Sequence, residues 1–206
     1  MPYDFKKEFK TLYQPKTVSE IITVPLITYA AVRGEGDPNE DGGAYKNAVS
    51  VLYGILYTIK MSKRGDHVID GYFDFVVPPL EGFWESAEYE NKSRFRWISV
   101  LWLPDFVNAE VFDWAKAEAA RKKKIDCSAA EMLTVDEGLC VQCMHIGSYD
   151  DEPRTVDAMD KFLAENGYVN DITEERLHHE IYISDPNKCA PEKRKTVIRH
   201  PIRNIK

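Results

Sequence analysis

The sequence predicts an α+β protein made of tandem duplicated β-α-β-β units, and three observations carry that prediction. Apolar residues recur at steps of three and four in one long stretch of each half, the period of a helix with one buried face. Between these stretches lie β-branched and aromatic runs that proline or glycine brings to an end. Setting Pro78 against Pro186 aligns Phe73 and Phe75 with Ile181 and Ile183, and Tyr72 and Asp74 with Glu180 and Tyr182. The in–out alternation therefore agrees between the halves, as an internal duplication requires.

The first strand is read over residues 21–32, with Pro25 marking an edge, a bulge or the strand's beginning. Residues 33–43 are a loop by composition. They carry four acids and lack both GxGxxG and the Lys-Ser/Thr pair of a phosphate-binding loop. From 44 to 62 the stripe Tyr45, Val49, Leu52, Leu56 and Ile59 predicts a helix. Residues 71–77 read as a strand stopped by Pro78-Pro79, residues 80–85 as a loop bearing Phe83 and Trp84, and 95–103 as a strand stopped by Pro104. A helix follows over 110–124, with Val111, Trp114, Ala115 and Glu118 as its inner stripe or the edge of that stripe. Ser128 to Glu131 resembles a capping box with no long helix behind it, so a short turn is expected there.

The second half repeats the outline. Residues 139–146 are a strand. A loop over 147–153 ends on Pro153, where a helix can start. Val156, Met159 and Leu163, with Phe162 beside them, stripe a helix closed by Asn166-Gly167. Strands over 179–184 and 196–200 end at prolines. The whole is read as one domain over 1–206, its halves spanning about 18–105 and about 106–206. One helix per half covers the face bearing the apolar alternates. Glu180, Tyr182, Tyr72 and Asp74 are then expected on the face away from the helices.

Composition narrows the function classes. With 34 acidic and 27 basic residues the net charge is −7, which disfavours nucleic acid and suits neutral or cationic ligands. The one basic block, Arg121-Lys122-Lys123-Lys124, reads as a solvated helix end. No run reaches the roughly 18 apolar residues of a membrane span, and residues 1–7 lack a leader's apolar core, so a cytoplasmic protein is expected. Cys140 and Cys143 are spaced like metal ligands. On a strand they point to opposite faces, so they are read as free thiols and no metal or cofactor is expected.

Three segments carry a family resemblance: Glu137-Gly138-Leu139-Cys140-Val141-Gln142-Cys143-Met144-His145-Ile146-Gly147-Ser148-Tyr149, His178-His179-Glu180-Ile181-Tyr182-Ile183-Ser184-Asp185-Pro186, and Lys195-Thr196-Val197-Ile198-Arg199-His200-Pro201. Together they resemble the stand-alone form of the GyrI-like small-molecule-binding family. The resemblance implies a pseudo-twofold sheet/helix sandwich with a central ligand cleft. It also implies a range of functions: drug sensors in which a buried glutamate faces lipophilic cations, gyrase-inhibiting proteins, and hydrolases that open the cyclopropane ring of alkylating natural products. The family's glutamate falls on Glu180 and its tyrosine on Tyr149. The about 20 residues before the first strand are too few for a DNA-binding module, which counts against the sensor reading.

Read on its own, Glu180 stands in an apolar run, where an ionised carboxylate needs a partner or a ligand. Arg199 on a neighbouring strand is one candidate partner. The other reading is a cleft carboxylate acting as general base. Tyr149 is then the candidate proton donor, and Tyr72, Phe83, Trp84, Trp97, Trp102 and Tyr182 are candidate walls for a flat hydrophobic, aromatic or cationic ligand. The expected activity is cofactor-independent hydrolytic ring opening of cyclopropanoid compounds. The competing expectation is a non-catalytic binder: a sequestering protein, a sensor or a gyrase inhibitor.

Overall fold

The computed structural model describes residues 1–85 and 95–205. The architecture is a mixture of helices and antiparallel strands, with two compact units each assembled from separate stretches of chain. One unit takes Met1–Glu8, Ile27–Pro78 and the described part of Ala87–Val135. The other takes Phe9–Leu26 and the described parts of Pro79–Ser86 and Asp136–Lys206.

In the first unit, β2 (Ile27–Glu35) is the middle strand, with β4 (Arg96–Trp102) on one side and β5 (Ala130–Val135) on the other. Helix α3 (Ala44–Met61) packs on β2 and β4, and α4 (Ala109–Lys123) packs on α3. The buried stripe of α3 is Ala48, Val51, Leu52, Ile55, Leu56 and Ile59. It is rotated from the predicted stripe because Tyr45 and Val49 lie at its margin. In α4 the predicted inner stripe is displaced: Phe112, Ala115 and Ala119 are buried, while Trp114 stacks on His67 at 3.8 Å. Asn108 caps α4 by accepting from Val111 N at 2.9 Å. The basic block closes α4, where Arg121 and Lys122 pair with Glu118 in solvent, as the sequence predicts.

Several predicted elements differ. Residues 21–32 are not one strand: Pro25 ends β1 (Glu20–Val24), and β2 then begins in the other unit. Residues 71–77 form no strand; among the described residues they make a single bridge, from Phe75 to Tyr3, which belongs to the segment bearing the short helix α1 (Phe5–Glu8). The strand lies instead at β3 (Glu81–Trp84), within the predicted loop. The alignment of Pro78 with Pro186 therefore does not match strand to strand. The short turn expected at Ser128 is present over Ser128-Ala129, but it leads into β5, a strand the sequence did not predict.

The second unit holds the antiparallel order β1, β6 (Gly138–Ile146), β9 (Lys195–Asn204), β8 (His178–Tyr182) and β3, with β7 (Tyr168–Asn170) against the far end of β9. On one face lies α5 (Glu152–Glu165). Its Met159 and Leu163 pack on Val141, Cys143, Ile198 and Ile202. β6 thus directs Cys143 to this face and Cys140, three residues away, to the other, as the sequence predicts.

The other face of this sheet lies against the segment bearing α2 (Lys10–Tyr13) and buries charge. Arg199, whose side chain is 1% exposed, donates to Glu137 Oε2 at 3.2 Å, to Gln142 Oε1 and to the Leu12 carbonyl. Glu137 also meets His179 Nδ1 at 3.1 Å. His179 Nε2 lies 3.0 Å from Glu81 Oε2, and Glu81 Oε1 accepts from Tyr13 Oη at 2.8 Å. Two acids and two bases balance, which is the condition for burying them. Burial acts to raise the Glu137 pKa, but His179 and Arg199 outweigh it and hold the carboxyl near 2. For His179 burial acts to lower the pKa, yet Glu137 and Glu81 outweigh it and keep the imidazole protonated above its usual range.

The pH dependence of stability follows from both signs. The Glu137 contribution is complete above its unfolded pKa of about 4.5 and is lost as pH falls towards about 2. The His179 contribution is complete below its unfolded pKa of about 6.5 and is lost as pH rises through the folded value. Thermal melts from pH 2 to 9 should show greatest stability between these limits. Glu137→Gln should lose about 3–5 kcal/mol and flatten the acid limb, because Arg199 remains buried without its counter-charge.

Candidate functional site

The network fixes which way β8 faces. His179 pairs with Arg199 across β9 and Glu180 with Ile198, so Glu180 shares the face of the α5 core. This reverses the expectation that Glu180 lies away from the helix. The network fills the other face, and Arg199 points there, away from Glu180. The apolar stripe of α5 lies over β6 and β9. Glu180 stands further along the sheet on β8, next to the first residue of the helix.

Glu180 has a 13% exposed side chain and is held on two sides. His178 Nε2 lies 3.0 Å from Glu180 Oε1. Glu152, at the start of α5, hydrogen-bonds Glu180 through its carboxyl. The Glu152 side chain is buried, and its Oε1 has no partner. Burial is the main reason its pKa rises to about 10, and the Glu180 charge adds to the rise. Glu152 is therefore a neutral acid at neutral pH, and the two carboxyls share one proton.

The polarity of the imidazole chain can be read from its far end. Asn170 Oδ1 accepts from Ile172 N at 3.0 Å, so its amide nitrogen donates to His200 Nδ1 at 3.1 Å. His200 then carries its proton on Nε2 and gives it to His178 Nδ1 at 2.7 Å. That leaves the His178 proton on Nε2, directed at Glu180. Burial, and then His178, push the His200 pKa down to about 3, in keeping with a neutral ring. Glu152, His178 and Glu180 offer ligand atoms within 4.8 Å of one another. A metal would need the lone pair of the nitrogen that carries this proton, so the donor set fits a proton and not a metal ion.

Aromatic walls stand around the pair. Gly82 faces Glu180 across β3, and above it Trp84 Nε1 donates to Tyr182 Oη at 3.0 Å. A Cβ on Gly82 would lie 2.9 Å from Trp84 Nε1 and 3.1 Å from Tyr182 Oη. Tyr149, in the helical turn before α5, meets Tyr182 edge-on at 5.9 Å and lies under the Arg194 guanidinium at 5.4 Å. Burial pushes the Tyr149 pKa up to about 12; Arg194 opposes the rise, and Glu180 and Glu152 add to it. The phenol keeps its proton.

Of the residues singled out in the sequence, Glu180, Tyr149, Tyr182 and Trp84 come together. Phe83 does not join them, because strand alternation turns it to the opposite face, stacked on His179 at 4.0 Å. Tyr72, Trp97 and Trp102 belong to the first unit. Tyr72 donates to the Lys60 carbonyl and packs on Phe106, Trp97 sits between Tyr45 and Gly34, and Trp102 packs on Phe5. Sequence reasoning missed Glu152, His178 and His200. His178 could have been found from the period of two that places it beside Glu180. Glu152 gave no signal, since an acid before a proline at a helix start is ordinary.

A match to the GyrI-like small molecule binding domain extends over residues 17–203. The chain belongs to this GyrI-like family. A hydrolase from Listeria innocua is similar to it, with 47% identity over 98% of this chain and 100% of that one and a TM-score of 0.91. A hydrolase encoded by lin2189 from Listeria innocua is similar at 46% identity over the same shares, with a TM-score of 0.92. EcmrR in its DNA complex aligns with 97% of this chain and 61% of its own, at 13% identity and a TM-score of 0.55, a likeness of fold alone. No curated protein matches. Among the described residues of this GyrI-like domain, no helix is long and apolar enough to cross a membrane.

Gly82→Ala tests the aromatic wall of this GyrI-like domain. The new methyl group should separate Trp84 from Tyr182 and weaken binding of an aromatic ligand at least tenfold. The melting temperature should move by only a few degrees, because the displaced atoms are side-chain ends. Tryptophan fluorescence titration reads the first effect and calorimetry the second.

Proposed function

We propose that this GyrI-like domain binds flat hydrophobic aromatic molecules against Glu180 and opens the strained ring of cyclopropanoid alkylating compounds with water. The observation that carries this reading is the setting of Glu180. It is a nearly buried carboxylate, oriented by the His178 N–H and the Glu152 carboxyl, with Tyr149, Tyr182 and Trp84 around it. The similarity to a hydrolase from Listeria innocua at 47% identity supports hydrolysis as the reaction class.

Water attacks a cyclopropane carbon fused to a conjugated dienone. The carbon–carbon bond breaks, and its electron pair moves through the ring to the carbonyl oxygen, which becomes a phenolate. Glu180 takes the proton of the attacking water. Tyr149 donates a hydrogen bond to the developing phenolate oxygen, a role suited to a phenol that keeps its proton. The proton held on Glu180 then passes through solvent to the phenolate, and the sum is addition of one water. The rings of Tyr182 and Trp84 would fix the plane of the substrate.

A second reading is sequestration of aromatic cations without turnover. The pairing of two carboxyls at the site and the net charge of −7 favour it. The four free thiols suit a reducing, cytoplasmic setting for either reading.

Glu180→Gln should fold normally and lower turnover of a cyclopropyl-dienone substrate by roughly a hundred- to ten-thousand-fold. Tyr149→Phe keeps the ring contacts to Tyr182 and Arg194, so it should melt like the parent and lose about tenfold or more in rate. Following the hydrated product by chromatography checks both. Parent-like turnover by Glu180→Gln would remove the base role. Absence of turnover by the parent, with tight binding of aromatic cations, would establish sequestration.

A further inference from the structure

The mechanism above makes no use of the proton on Glu152, yet the geometry around that proton is specific. Glu152 is more than nine-tenths buried, one of its oxygens has no partner, and its carboxyl is turned to Glu180. A buried carboxylate with an orphaned oxygen and another carboxylate alongside would be poorly stabilised, so something positive must sit between the two. In the free protein that is one proton. Glu180 also receives the His178 N–H, and the His178–His200–Asn170 chain holds that donor in place. The remaining groups around the pair are Tyr149, Asp150, Tyr182 and His200, with Arg194 over the Tyr149 ring. The charges acting on Glu152 are those of Glu180 and Asp150, both negative.

We propose that Glu152 is the proton-exchanging partner of Glu180, so that binding of an aromatic monocation expels the proton the two carboxyls share. The proposal rests on the small-molecule-binding reading and adds the ligand's charge as the variable that sets the state of the site. A neutral aromatic ligand leaves the pair singly protonated. A cation takes over the proton's electrostatic role. One pocket then accepts both classes, because the proton adjusts its charge.

The size of the effect can be bounded. A unit charge about 4 Å from a carboxyl favours its ionised form by roughly a thousandfold at the effective screening of a protein surface. For Glu152, whose pKa is raised to about 10, that is enough to ionise most of it at pH 8.

The test is isothermal titration at pH 8 in two buffers of different ionisation heat. The probes are tetraphenylphosphonium, which has no proton of its own to lose, and triphenylphosphine oxide, a neutral aromatic of similar shape. The parent should release close to one proton per phosphonium bound and none with the neutral probe. Its phosphonium affinity should rise roughly tenfold between pH 7 and pH 8.5, since the cation competes with a proton. Glu152→Gln copies a neutral carboxyl in size and can still donate to Glu180. It should melt like the parent and bind phosphonium with no proton release and no pH dependence over that range. Release by the parent below about a fifth of a proton would overturn the proposal, as would parent-like release by Glu152→Gln. Zinc held stoichiometrically by the purified protein and lost in His178→Ala would place a metal where the proton is assigned, and would also overturn it. If the neutral probe binds and the phosphonium does not, the exchange proposal fails and the small-molecule reading stands. If neither binds, the small-molecule reading fails.

Discussion

Arg199 is almost wholly buried, and a guanidinium cannot give up its charge to ease that burial. Its needs organise the second unit. Glu137 supplies the counter-charge from the connection into β6, Gln142 an acceptor from β6 itself, and Leu12 a backbone carbonyl from the segment bearing α2. Glu137 cannot serve Arg199 alone, because its second contact is His179 on β8, and His179 in turn lies against Glu81 on β3. Four strands and one terminal segment are thus tied in register by a charge set that sums to zero. Removing any one member leaves another charge stranded in the interior.

The site follows from that register through the period of two in a strand. With His179 committed to the ionic face, His178 and Glu180 must emerge on the face of α5. Gly82 then falls opposite Glu180 and leaves room over which Trp84 and Tyr182 meet. The first residue of α5 brings a second carboxyl to the first. Burial raises the pKa of Glu152, so that carboxyl keeps its proton beside Glu180, which the His178 N–H faces from the other side.

The sequence was legible wherever a local period decided the outcome. Helices α3, α4 and α5 and strands β4, β6 and β8 stand close to where periodicity and proline stops put them, and Glu180 was legible as an acid in an apolar run. β9 begins where expected but runs through Pro201 to Asn204, because β6 and β7 continue to pair with it there. Elements set by partners far along the chain were not legible. Residues 71–77 have strand composition but, among the described residues, bridge to Tyr3 alone, whereas Glu81–Trp84, with loop composition, pairs with β8. The face of Glu180 is not legible, because apolar alternates mark the helix side only where the opposite face meets solvent. In this unit a buried ionic network occupies the opposite face, and nothing in a local window distinguishes a charge paired in the interior from one in solvent. Arg199 is a candidate partner for Glu180 by sequence, but strand parity sends it to Glu137 instead.

The interleaving of the two units along the chain has a kinetic consequence. Gln142 bonds Glu20 across a separation of 122 residues, and Arg199 bonds the Leu12 carbonyl across 187. As the chain leaves the ribosome, β1 therefore waits unpaired until β6 has been made, and the ionic face cannot close until Arg199 has. Contacts so distant in sequence carry a large loop-closure cost and slow folding. All stretches of the first unit have been made once Val135 has, so it can begin to collapse while the second is still an open set of strand edges. During that interval the apolar residues of β1 and β6 are exposed to other chains. Self-association during synthesis or refolding is the characteristic hazard of this topology, and it is independent of how stable the finished protein is.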